Sequence, residues 1–183
     1  MTTKKYAALL RGINVGGAKK VPMAELREVL AGLGLSEVQT YLQSGNAVFA
    51  SPERDQAALA RELERAIEAR FGFAVACLVA DGEYLRAVAE ACPFPAAELE
   101  GRQLHATFLS AQPAEERFAS IDGPSYLPEE YRIGDRVVYL YAPDGLGRSK
   151  LGEALHKPAV FKGIDATTRN WNTVAKLVEL TAG

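Results

Sequence analysis

Cysteine, histidine and tryptophan are scarce in this 183-residue chain: Cys77 and Cys92, His105 and His156, and Trp171. Two cysteines outside any C-x-x-C pair exclude a disulfide scaffold and a zinc knuckle, and they fit reduced thiols in the cytosol. The two histidines lie far apart along the chain, with no cysteine or carboxylate at ligand spacing, so no metal is expected. No apolar run approaches the ~18 residues of a membrane span. The opening Met1-Thr2-Thr3-Lys4-Lys5-Tyr6 leads straight into a strand pattern without an apolar signal region, so a cytoplasmic protein without membrane contact is expected. Net charge is −2, from 21 basic and 23 acidic residues; nucleic-acid binders usually show a basic excess, which argues against such a partner. The phosphate-binding G-x-x-x-x-G-K-[ST] loop, the dinucleotide G-x-G-x-x-G and the G-x-S-x-G nucleophile elbow are absent too.

What is present is an ordinary globular composition, 48% hydrophobic and 24% charged, enough to bury a core in one domain or two small ones. The charge is uneven. Residues 1–50 carry 6 basic and 3 acidic side chains, residues 51–131 carry 7 and 15, and residues 132–183 carry 8 and 5. Both ends are therefore basic and the middle is acidic, a distribution that serves solubility or, if the ends converge, attraction of an anion.

Periodicity places the elements. Tyr6 to Ile13 reads as a buried strand. Pro22 opens a helix whose face is Met23, Leu26, Leu30 and Leu33, with Gly34 as its left-handed stop. Val38–Gln43 and Ala47–Ala50 form a hairpin around Ser44-Gly45-Asn46. Ser51-Pro52-Glu53 looks like a helix start, and Leu59, Leu63, Ile67 and Phe71 follow at four-residue spacing to Gly72. Phe73–Ala80 is a strand, and Asp81 caps a helix that ends before Pro93. This β-α-β-β-α-β order predicts an α+β fold: a ferredoxin-like split βαβ unit with an antiparallel sheet over residues 1–95. Residues 96–183 are expected to echo it as β-α-β-β-α. The strand is Leu104–Leu109, the helix Pro113–Ile121, and the hairpin Tyr131–Ile133 with Val137–Tyr141. A short helix capped by Ser149 and a last helix over Asn170–Thr181 complete it.

Three polar segments stand at the ends of apolar elements, where sites are commonly built. The first, Arg11-Gly12-Ile13-Asn14-Val15-Gly16-Gly17 with Lys19 and Lys20, is either a glycine-rich anion cradle or a βα connection with turn glycines. The second, Ser44-Gly45-Asn46, is a hairpin tip or a pair of ligand-facing polar groups. The third, Thr167 to Thr173, offers Arg169 as an anion clamp beside free amides at a helix start, or Asn170 as a plain cap.

The runs Leu9–Gly17, Met23–Arg27, Thr40–Asn46 and Thr168–Thr173, with Ser149-Lys150-Leu151, resemble the bacterial domain of unknown function 1697 family. That resemblance implies two related α+β subdomains and no activity, so it assigns no catalytic residue and no cofactor.

The functional expectation is an anionic small molecule, phosphorylated or nucleotide-like, held in a cleft between subdomains. Arg11, Lys20, Lys150 and Arg169 would supply charge, Gly16 and Gly17 close backbone approach, and Asn14, Ser44, Asn46 and Asn170 orientation. No evident nucleophile decides whether it is an enzyme. The alternatives are a structural protein acting as a homodimer and, third, a single-stranded nucleic-acid module, for which Tyr6, Tyr41 and Phe49 supply few stacking rings.

Overall fold

The computed structural model describes residues 2–42 and 45–183. It divides into two compact units: Met1–Leu85 with Leu177–Gly183, and Arg86–Lys176. The halves read from the sequence met at 95/96; the units exchange inside a helix at 85/86, and the chain's end counts with the first.

Unit 1 runs β1 (Lys4–Leu10), α1 (Met23–Gly32), β2 (Ser36–Tyr41), β3 (Asn46–Ser51), α2 (Gln56–Phe71), β4 (Cys77–Asp81) and the start of α3 (Gly82–Glu90). Its strands pair antiparallel in the order β2-β3-β1-β4. This is the split βαβ arrangement expected from the element order. Strand side chains alternate between faces, and Tyr6, Ala8 and Leu10 join Ala47, Phe49 and Cys77 on the helix-covered face. There they pack with Leu26 and Leu30 of α1 and Leu59, Leu63 and Ile67 of α2. Ala7 and Leu9 on the opposite face are buried as well. The edge strand β2 departs from regular register between Ser36 and Gln39, which blunts edge-to-edge pairing.

The start of α2 differs from expectation. Ser51 is the last residue of β3, and its Oγ accepts from the Glu53 amide instead of capping a helix. The cap is Asp55, whose Oδ1 accepts from Ala58 N at 3.1 Å.

Unit 2 repeats the topology with less helix. Its strands β5 (Leu104–Leu109), β6 (Glu130–Gly134), β7 (Val137–Tyr141) and β8 (Ala166–Asn170) are ordered β6-β7-β5-β8, again antiparallel. Where α1 would fall, the expected helix over Pro113–Ile121 is a single 3-10 turn, Glu115–Phe118, followed by another at Gly123–Tyr126. Within Glu115–Phe118 only Phe118 is buried, too little apolar surface to offset the cost of nucleating a helix. α4 (Lys150–Leu155) covers the sheet in place of α2; Ser149 caps it, its Oγ accepting from Gly152 N at 2.8 Å. Leu151 and Leu155 pack on Leu109, Val138, Leu140 and Ala166. α5 (Trp171–Leu180) follows β8 directly. Among the described residues no helix is long and apolar enough to cross a membrane.

Candidate functional site

The first polar segment leaves β1 as a pinned loop. Leu10 N donates to Gly45 O and Arg11 N to Ala76 O. Asn14 N donates to Lys19 O, and Val15 bridges Ala18. Gly16 (φ 59°) and Gly17 (φ 77°) make the two-residue turn between them; both central residues need φ > 0, which glycine adopts at no steric cost. The Asn14 side chain closes the loop at its far end: Nδ2 donates to Val21 O at 3.0 Å and Oδ1 accepts from Val21 N at 2.8 Å. Its amide builds the loop. Arg11, Lys19 and Lys20 lie exposed along it. Lys19 Nζ donates to Ala74 O at 2.9 Å, while among the described residues neither Arg11 nor Lys20 pairs with a carboxylate.

The second segment meets the first. A Cβ on Gly45 would lie 2.8 Å from Ile13 Cδ1 and 2.9 Å from Leu10 Cβ, so only glycine lets the hairpin lie against the root of the loop. Asn46 is fully buried, its Nδ2 donating to Tyr41 O at 2.8 Å, so it closes the hairpin. Ser44 lies outside the described residues.

The third segment is not a helix start in full. Thr167 to Asn170 belong to β8, so Arg169 projects from a strand. It is 8% exposed, and its Nη1 donates to Thr167 Oγ1 at 2.7 Å and Thr168 O at 3.0 Å. Burial lowers its pKa to about 10. Asn170 Oδ1 accepts from Thr173 N and caps α5. Lys150 is exposed at the first position of α4.

A further polar group, which joins Thr168 and Asn170 of the third segment to residues the sequence did not connect with them, lies on the α4-covered face of the unit 2 sheet. His105 and Thr107 on β5 face Asn170 and Thr168 on β8 in register. Thr107 Oγ1 and Thr168 Oγ1 are 2.8 Å apart, and His156 Nε2 lies 2.9 Å from Thr168 Oγ1. The two histidines are distant in sequence, yet His156 stands near enough to oppose protonation of His105. Burial first and that repulsion second lower the pKa of His105 to about 4. Its Nδ1 is buried without a hydrogen-bond partner among the described residues. The signal was the spacing of two polar residues, His105 and Thr107, at inward positions of an otherwise apolar strand. Among the described residues no group of three or more His, Cys, Asp or Glu is placed to hold a metal.

No curated protein matches the chain. A solved structure described as the conserved bacterial protein SP0830 from Streptococcus pneumoniae is similar at 27% identity, with a TM-score of 0.79, over 99% of this chain and 100% of that one. The family described as protein of unknown function (DUF1697) matches residues 3–139. That span includes the Arg11–Lys20 loop and the Gly45-Asn46 turn and stops short of β8. With three quarters of its residues matched and the two-sheet fold shared end to end with a bacterial relative, the chain belongs to the DUF1697 family.

Proposed function

We propose that the protein binds an anionic small molecule, phosphorylated or nucleotide-like, through the Arg11–Lys20 loop of unit 1. The supporting observation is a segment of ten residues with three exposed cations and no acid, held in one shape by the two Asn14 bonds to Val21. A loop ordered before the ligand arrives avoids most of the entropy cost of ordering on binding. Arg11 offers a planar fork suited to phosphate or carboxylate oxygens, and Lys20 a compact charge beside it. Gly16 and Gly17 leave the tip without side chains, so an anion can approach backbone amides there. Asn14 and Asn46 serve as the frame that sets the loop.

Titration calorimetry and thermal shift with pyrophosphate and ATP test this reading. Binding should be saturable, weaken as salt rises, and fall at least tenfold in the Arg11→Ala/Lys20→Ala variant. No shift at millimolar ligand, or equal binding by that variant, overturns the reading.

A further inference from the structure

The polar group on the unit 2 sheet occupies positions that are core in unit 1. The register pairs Tyr6↔Asp81 and Ala8↔Val79 of unit 1 correspond to His105↔Asn170 and Thr107↔Thr168 of unit 2, since Asp81 and Asn170 each end the fourth strand and cap the next helix. Tyr6, Ala8 and Val79 belong to the apolar cluster. Unit 2 therefore puts an imidazole and two hydroxyls where the same fold needs only packing. Tyr6 also satisfies its hydroxyl on Glu53 O, whereas His105 Nδ1 has no partner among the described residues. A buried nitrogen left unmet is destabilising, so a purely structural core would not keep it.

The hydrogen bonds have one consistent direction. His156 Nδ1 lies 2.7 Å from Gly152 O. A carbonyl only accepts, so Nδ1 carries the proton and the Nε2 of the neutral ring is an acceptor. Thr168 therefore donates its hydroxyl hydrogen to His156 Nε2, and Thr107 donates to the Thr168 oxygen. A hydroxyl pointed at an imidazole, which is itself oriented by a third group, is the arrangement that makes an alcohol nucleophilic. His156 is exposed and Thr168 half-buried, so a reagent can reach the pair from solvent.

We infer that Thr168 is a nucleophile with His156 as its general base, in a second site that takes an electrophilic acyl group such as an ester. In acylation, Thr168 Oγ1 bonds to the carbonyl carbon and its proton passes to His156 Nε2. The bond to the leaving alkoxide breaks, and that oxygen takes the proton from His156. Water, deprotonated by His156, then adds to the acyl carbon. The bond between the acyl carbon and Thr168 Oγ1 breaks, releasing the carboxylic acid, and the proton returned by His156 restores the hydroxyl. Thr107 donates to Oγ1 when that oxygen leaves the acyl carbon and takes on charge.

The site shares no residue with the Arg11–Lys20 loop, so either reading can fail alone. The full chain treated with a fluorophosphonate at pH 8 tests it: Oγ1 would displace fluoride from phosphorus and leave a stable adduct. Peptide mass spectrometry should place that adduct on Thr168. Thr168→Ser, a less crowded alcohol, should label faster, and His156→Gln, which keeps a polar amide but no base, at least tenfold more slowly with an unchanged melting temperature. Absence of an adduct at residue 168 in both the wild type and Thr168→Ser, or labelling of His156→Gln at the wild-type rate, overturns the inference.

Discussion

Two four-stranded sheets of the same order, β2-β3-β1-β4 and β6-β7-β5-β8, are covered in different ways. Unit 1 lays a ten-residue and a sixteen-residue helix over its sheet; unit 2 uses 3-10 turns and a six-residue helix. The helix-facing side of β1 is Tyr6, Ala8 and Leu10, while the corresponding side of β5 is His105, Thr107 and Leu109. Strand order is thus preserved although the material above it is not. Backbone pairing depends little on which side chains sit inward, so one copy of the topology can keep a dry core while the other carries polar groups. Those groups must then bond to one another or stay unmet.

The largest test of that contrast is a deletion in the dry core. Phe49 is fully buried and stacks on Tyr6 at 5.9 Å between ring centroids. Phe49→Ala should cost about 3–5 kcal/mol, read from urea unfolding. Phe118 of unit 2, 5% exposed on a single turn that can collapse, should lose less when truncated the same way. Equal losses would mean that the turn-covered sheet is packed as rigidly as the helix-covered one.

The next effect belongs to unit 2. His105 in the unfolded chain takes a proton near pH 6.5, but in the folded protein only near pH 4. Between those values the unfolded form holds the extra proton. The stability is fully present above about pH 6.5 and declines as pH falls toward 4, by up to roughly 3 kcal/mol. His105→Leu should flatten that slope in urea midpoints measured at pH 4.5 and 7.5, and leave stability at pH 7.5 unchanged or higher because no buried nitrogen is left unmet. An unchanged slope would place the pH dependence elsewhere.

The smallest effect compares the two caps that begin α2 and α4. Asp55 is exposed, and Asp55→Ala should cost about 1 kcal/mol. Ser149 is buried, caps Gly152 N and also donates to Glu129. Its loss in Ser149→Ala should therefore cost more, about 1–2 kcal/mol. Thermal melts of the two variants in one buffer rank them.

Much of unit 1 was legible because its elements follow hydrophobic period. Leu59, Leu63 and Ile67 mark α2, and Leu26 and Leu30 mark α1, all buried as their spacing requires. Gly34 and Gly72 stand at positive φ where each helix ends. Unit 2 was legible where pattern and turn chemistry agree, as in the β6–β7 hairpin and the Ser149 cap. It was misread where a strand is made of Thr167, Thr168, Arg169 and Asn170. Nothing in their hydropathy announces a strand, and the pairing that makes one is supplied by β5, some sixty residues earlier. The glycines of the first segment form a tight turn, a geometry that leaves the cradle reading standing as a proposal, and Asn14, read as a ligand contact, also clips that loop to Val21.

Local chemistry alone determined that this chain would fold as α+β units, since strand and helix periods and their stops are properties of neighbouring residues. The meeting of Gly45 with Ile13, of Thr107 with Thr168, and of Thr168 with the ring of His156 was decided only by tertiary structure. Those contacts join residues far apart along the chain, and a hydrogen bond or a close approach depends on distance in space, which no periodicity encodes.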